Sequence, residues 1–304
     1  MTRLIQMSGV IMDHIYRVEA VPLAGEEAVV FGSTLAPGGG FNAMVAARRM
    51  GMDVAYGGTL GTGPFATMIG DALLREGIMT LRPQLSRLDQ GCCTVLVDRR
   101  GERSFIASDG ADGVVTPANL AAIQPGAEDW VLLSGYGLLY DKSRDALTGW
   151  LAAGLQGTLV FDPCPQIAAI PQASRDAALA AAQWISANHA EAEVLTGCSN
   201  PADAATALSH RPGGAVVRDG AEGCYLAQGG QPAQHIPGHA VTAVDTNGAG
   251  DAHIGAFIAA LARGEPPLRA CALANIAAAL SITEEGPSTA PTLDRVLVEF
   301  ATAP

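Results

Sequence analysis

The run Ala243-Val244-Asp245-Thr246-Asn247-Gly248-Ala249-Gly250-Asp251 passes directly into Ala252-His253-Ile254-Gly255-Ala256-Phe257-Ile258-Ala259-Ala260-Leu261. The first part has turn chemistry. The second is a helix apolar on nearly every face, which predicts burial. The first N–H groups of a helix lack internal partners, and the dipole adds partial positive charge there. Gly248, Ala249 and Gly250 leave those amides uncovered, so a phosphate could approach the backbone. Asp251 falls in the first helical turn, where the positive helix end is expected to keep its carboxylate ionised and able to accept a proton. The same residues would also suit a plain chain reversal with an acidic residue near a helix start. Asp245, just before the turn, could cap it through the Asn247 or Gly248 amide. Alternatively it could join backbone carbonyls, with Gly286-Pro287-Ser288 as a second wall, in an oxygen cage for a monovalent cation, potassium before sodium.

Two further stretches carry polar groups where strands end and helices begin. Leu4 to Ile11 reads as a strand running into Met12-Asp13, so Asp13 is expected just past its C-terminal end, where open α/β sheets place ligand groups. Pro37-Gly38-Gly39-Gly40-Phe41-Asn42 opens a helix through Met50. Gly38 and Gly39 imply close backbone approach, and Asn42 offers both a donor and an acceptor to a hydroxyl. Gly61-Thr62-Gly63-Pro64-Phe65-Ala66 lies between a strand (Asp53–Leu60) and a helix, as a dinucleotide fingerprint does, but the acidic residue expected about 20 positions on is missing. Gly137 to Ser143 is a near miss for a P-loop, with Asp141 where glycine is required.

These elements alternate. Strands at 130–134, 158–161, 184–186 and 215–218 are separated by helical stretches, and apolar helices at 268–283 and 292–300 close the chain. Such a pattern predicts an α/β class fold, a three-layer α/β/α Rossmann-like sheet, mostly parallel, as one domain over 1–304. Residues 16–35, split by Pro22, Gly25 and Gly32, and a hairpin at 91–106 predict a small separate β-sheet lid formed by about 14–36 and 91–107.

Composition narrows the partners. The 304 residues hold 30 acidic and 18 basic side chains, a formal net charge of -12, and Lys142 is the only lysine. No nucleic acid is expected, since phosphate backbones need clustered Lys and Arg. No apolar run approaches a membrane span and no signal-peptide layout opens the chain, so no membrane partner and a cytoplasmic location are expected. Six cysteines without zinc-finger spacing read as reduced buried thiols.

Asp-Thr-x-Gly-Ala-Gly-Asp at 245–251, together with the Gly-Gly…Asn stretch followed by Gly51 and Gly61, closely resembles the signatures of the ribokinase-like (pfkB) carbohydrate and nucleoside kinases. Met44 departs from the small residue usual there. Gly63 and Ala66 depart from that family's Gly-x-Asp-x-x-Gly turn. The resemblance implies a ribokinase-like fold and ATP-dependent phosphorylation of a hydroxymethyl group on a sugar or sugar-like molecule. Gly248, Ala249 and Gly250 would cradle the transferring phosphate and Asp251 would be the base. Asp13, Gly38, Gly39 and Asn42 would hold the substrate. Asn188-His189-Ala190-Glu191 resembles the family's Asn-x-x-Glu, with Glu191 supporting Mg2+ through water. The resemblance further implies nucleotide contacts from Asn188, Arg218, Gly220, Gly223 and Asn275, with Arg218, in place of the usual Thr, supplying a charge-assisted phosphate contact. It implies a homodimer through the lid. A nucleoside kinase is the alternative, with Tyr16, Phe31 and Phe41 as candidate stacking groups. A dinucleotide-dependent oxidoreductase on the 61–66 loop is the remote one.

Overall fold

The computed structural model describes residues 2–302. In chain order it places β1 (Arg3–Gln6), β2 (Val10–Val18), β3 (Val30–Gly39), α1 (Gly40–Arg49), β4 (Asp53–Tyr56), α2 (Pro64–Arg75) and β5 (Met79–Thr80). Then come β6 (Cys92–Val97), β7 (Arg103–Ser108), α3 (Pro117–Ala121), β8 (Trp130–Ser134), α4 (Tyr136–Leu139), α5 (Asp141–Ala152), β9 (Thr158–Asp162) and α6 (Gln172–Ala181). The chain continues through β10 (Trp184–Asn188), α7 (His189–Thr196), α8 (Pro201–Leu208), β11 (Gly214–Arg218), β12 (Gly223–Ala227) and β13 (Gln234–Pro237). It ends with α9 (Ala249–Ala262), α10 (Pro267–Ser281) and α11 (Leu293–Thr302).

Among the described residues, nine strands form one sheet in the order β13-β12-β11-β10-β9-β8-β1-β4-β5, antiparallel only where β12 and β13 join. Alternation sends neighbouring side chains to opposite faces. Leu4, Leu132 and Val216 enter one core with α1, α2, α9 and α10, whereas Ile5, Val131 and Val217 enter the other with α5, α6 and α8. Burial on both faces is what a parallel sheet requires, and it explains the continuous apolar strands. Helix α9 crosses α1 closely: a Cβ on Gly255 would lie 2.3 Å from the Ala43 carbonyl oxygen. Met44 is fully buried in the same core, so the departure from a small residue is absorbed by packing.

A second, four-stranded sheet has the order β3-β2-β6-β7. Its strands reach further than expected, starting at Val10 and ending at Gly39 and Ser108. The apolar run at 4–12 is not one strand. It divides between the two sheets, because the Ser8 hydroxyl accepts the Ser134 N–H at 2.7 Å and the Gly9 carbonyl accepts the Gly40 N–H at 2.9 Å, turning the chain at Ser8-Gly9. Asp13 therefore lies inside lid strand β2, not past the end of a central strand. No described helix is long and apolar enough to cross a membrane.

Candidate active site

The parallel strands end on polar residues. Gln6, Ser134, Asp162, Asn188 and Arg218 are the last residues of β1, β8, β9, β10 and β11, after apolar interiors that fix the register. Above this edge a cavity of about 810 Å³ opens between the central sheet and the lid. The lid contributes apolar Ile15, Val95 and Phe105 together with Asp13, and the central sheet and α9 contribute Gln6, Asp162 and Asp251.

Asp251 stands at the start of α9. Gly248 precedes the helix at φ 78°, and no side chain caps it. Gly248, Ala249 and Gly250, whose amides were expected to take a phosphate, thus lie at an uncapped helix start. The charge state differs from the expectation. Burial pushes the Asp251 carboxyl up to about 7 and Asp162 adds repulsion, against the opposing help of Asn42 and Arg218. Desolvation outweighs the helix end here. A carboxyl of that pKa is half ionised near neutrality, the range where proton transfer is most effective.

Asn42, expected to hold the substrate, is bonded here within the fold. Its Nδ2 donates to Asp251 Oδ2 at 3.0 Å, and its Oδ1 accepts the Ser288 hydroxyl at 2.7 Å. The amide orients the Asp251 carboxylate through Oδ2. Asp13 faces the cavity with no hydrogen bond to its carboxylate among the described residues, and burial raises it to about 6. A Cβ on Gly38 would meet Asp13 Oδ2 at 1.9 Å, so glycine there makes room for that carboxylate. Gly39 lines the cavity at φ 60°. Gln6 is a site residue the sequence reading missed. Its Nε2 donates to the Gly40 carbonyl and its Oε1 is buried without a partner. The signal was a polar residue ending an apolar strand.

Arg218 is not a free phosphate ligand. Its Nη2 bonds Asp162 Oδ1 at 3.0 Å and lies 3.7 Å from Glu191 Oε2, while Nη1 reaches Ser186 Oγ at 3.1 Å and the Gly250 carbonyl at 3.4 Å. The side chain is 12% exposed, so the guanidinium works from behind the turn, neutralising two carboxylates and adding positive charge beside Gly250. Asn188 and Glu191 cap α7 reciprocally, at 2.8 and 2.9 Å. Glu191 is nevertheless buried rather than solvated, and burial, then Asp162, raises it to about 7 against Arg218. Among the described residues no three ligating side chains converge on a metal position. Asn275 is buried, and its amide donates to the Ile236 and Pro237 carbonyls, tying α10 to β13. Gly220 turns at φ 58° with open space beside it, and Gly223 begins β12 at φ 99°.

Asp245 does cap the turn, since its Oδ1 accepts the Asn247 N–H at 3.0 Å. It also carries the guanidinium of Arg103, at 2.6 Å, where a monovalent cation was expected. The dinucleotide alternative meets an occupied helix end: Asp89 accepts the Phe65 and Ala66 N–H groups at 3.1 and 2.8 Å, so the anion position of α2 is filled from within. Tyr16, Phe31 and Phe41 do not line the cavity; Phe105, Tyr136 and Tyr140 do.

The model of the pfkB family carbohydrate kinase matches residues 1–293. The chain belongs to the pfkB family of carbohydrate kinases. It is 29% identical to the uncharacterized sugar kinase YegV of Escherichia coli, over 95% of this chain and 91% of that protein. It is 32% identical to a fructokinase of Klebsiella pneumoniae, over 84% and 88% of the two chains. Among solved structures, a ribokinase of Arabidopsis thaliana complexed with ribose and ATP superimposes with a TM-score of 0.77 at 20% identity, over 99% of both chains, a likeness of fold. This pfkB chain is therefore a kinase with the ribokinase fold, a phosphotransferase with an alcohol group as acceptor.

Proposed function

We propose that this pfkB kinase transfers the γ-phosphoryl group of ATP to a hydroxymethyl group of a sugar or sugar-like molecule held under the lid. The observation that carries this reading is Asp251, a carboxylate with a pKa of about 7, at the uncapped start of α9 and on the wall of the cavity. Asp251 Oδ1 takes the hydroxyl proton while Asn42 holds Oδ2. The amides of Gly248, Ala249 and Gly250 stabilise the charge on the transferring group, with Arg218 behind them. Phosphoryl transfer asks for this kind of positioning and electrostatics rather than covalent chemistry.

The residues present suit a nucleotide: an uncapped helix end backed by a guanidinium, with open space at Gly220. Mg2+ supplies charge neutralisation when bound with the phosphates, and the buried Glu191 and Asp162 would hold its water shell. Asp13 and the unpartnered Gln6 Oε1 would accept substrate hydroxyls.

A nucleoside kinase is the second reading, favoured by one feature. Apolar Ile15, Val95 and Phe105 of the lid could cover a base. We also propose a homodimer through the lid, whose edge strands β3 and β7 leave Val30, Phe31 and Ile106 exposed, and a cytoplasmic location, in keeping with six unpaired cysteines. The test is a panel of sugars and nucleosides with ATP, read by ADP release. Turnover of a sugar above every nucleoside supports the first reading. The reverse order supports the second, and no ADP release with any acceptor removes both.

A further inference from the structure

Two arginines of the lid reach the loops that shape the anion hole. Arg103 of β7 donates through Nη2 to Asp245 Oδ1 at 2.6 Å. Arg17 of β2 donates through Nε to Glu285 at 3.0 Å. Asp245 Oδ2 accepts the Gly286 N–H at 3.2 Å, so this one carboxylate joins the lid, the turn at 245–248 and the loop carrying Glu285. Its side chain is only 10% exposed. Behind it, the Val244 and Asp245 N–H groups both bond the Ile282 carbonyl, at 2.7 and 3.2 Å.

We propose that Arg103 is a tethered cation: its guanidinium takes the place of the monovalent cation expected at Asp245, so that lid contact rather than potassium sets the anion hole. The inference rests on the phosphotransferase reading for its catalytic arm only. An alkali ion needs several oxygen atoms turned towards it and no competing positive charge. At Asp245 the guanidinium of Arg103 is that competing charge, and it occupies the position the ion would need. Asp245 Oδ1 holds the guanidinium and the Asn247 amide, its Oδ2 holds the Gly286 amide, and all three are donors. The residues therefore do not fit the ion. They do fit its task, which is to hold the carboxylate that fixes Asn247 and, with it, the left-handed Gly248 that begins α9. A guanidinium is permanently charged, and here it sits on the lid strand, so it reaches Asp245 only when β7 lies over the cavity. Arg103 also lines the cavity, and closing the lid over a substrate brings the positive charge and the ordered turn together. Arg103 is a positioning residue, acting through Asp245.

The experiment compares the full-length protein with Arg103→Ala and Arg103→Lys in tetramethylammonium buffer, adding potassium chloride at constant ionic strength. Two quantities are read: kcat from ADP release with a substrate found by the panel, and the thermal midpoint Tm without substrate. Wild type is expected to be flat in both. Arg103→Ala is expected to lose at least tenfold in kcat, with a smaller change in KM. Potassium should restore much of that loss and raise the variant's Tm, because the vacated carboxylate can now bind the ion. Arg103→Lys keeps a tethered charge and should stay above the alanine variant and indifferent to potassium. A potassium-specific rise in wild-type kcat or Tm would overturn the proposal. So would an alanine variant that behaves as wild type, or one whose loss potassium leaves unrepaired in both readouts. If wild type turns over no acceptor, the phosphotransferase reading fails by itself, and the Tm arm still decides this one.

Discussion

Asn42 and Asp251 are 209 positions apart and meet at 3.0 Å, and that contact bears on the charge of the Asp251 carboxyl. The amide donates to the charged form, so it holds the Asp251 carboxyl below the value that burial alone would set. Asn42→Ala removes the donor and raises that pKa further above about 7. On the proposed mechanism the ionised form is the active one, so the acidic limb of kcat/KM should move to higher pH. Turnover at pH 7 should fall and return as the pH is raised. A pH–rate profile checks this; a limb that stays in place would show that Asn42 does not tune the base. Gln6 belongs to the same scale. A buried acceptor without a partner is costly, on the order of 1–3 kcal/mol, unless a ligand completes it.

At the scale of elements, the site depends on how closely α1 and α9 approach, since one carries Asn42 and the other Asp251. Gly255 sets that distance. In an exposed helix, replacing glycine by alanine would stabilise by about 1 kcal/mol. Here the new Cβ would lie 2.3 Å from the Ala43 carbonyl and 2.8 Å from the Ala46 Cβ, so backbone must move. Overpacking of this kind costs about 1–3 kcal/mol and reverses the sign. Gly255→Ala should lower Tm and lower kcat together, as the helices separate and the Asn42 bond lengthens. A variant with unchanged Tm and kcat would contradict the packing account.

Much of this element plan was legible in the sequence, and the exceptions have physical reasons. Alternating apolar strands and helices announced the three layers, because a parallel sheet buried on both faces needs unbroken apolar strands. The Gly-Ala-Gly-Asp turn could be read locally, since a helix end needs only its own amides. The division of 4–12 into two strands could not, because apolar residues continue through Met7 and Val10 and the break is made by Ser134 and Gly40. Arg103 on Asp245, Arg218 on Asp162 and Asn42 on Asp251 are pairs between distant segments, which spacing along the chain does not encode. Asn42, Arg218 and Asn275 were read as ligand contacts; the fold also bonds Asn42 to Asp251 and Ser288, Arg218 to Asp162 and Ser186, and the Asn275 amide to the Ile236 and Pro237 carbonyls.

At the scale of the molecule, the site weakens the fold that carries it. Asp13, Glu191 and Asp251 have carboxyls raised to about 6, 7 and 7 from ordinary values of 3.8, 4.5 and 3.8. Each binds its proton more tightly folded than unfolded. Between about pH 4 and 7 the native state therefore holds more protons, and stability falls as pH rises through that window. Tm should be lower at pH 8 than at pH 5.5, and Asp251→Asn, which cannot ionise, should flatten the fall. A Tm rising over that range equally in both proteins would contradict the assignment of these carboxyls as raised by burial. The strain is of the kind expected where function opposes stability.

The central claim is that Asp251 is the base of a phosphoryl transfer carried out under the lid. It is tested most directly by the kcat of Asp251→Asn, measured by ADP release with the best acceptor of the panel, alongside the affinities for that acceptor and for ATP. General-base catalysis contributes about 100- to 10,000-fold. The account predicts a loss of kcat in that range with both affinities within a few-fold of wild type, since Asn42 can still hydrogen-bond the new amide. A variant that turns over at a near-normal rate would contradict it.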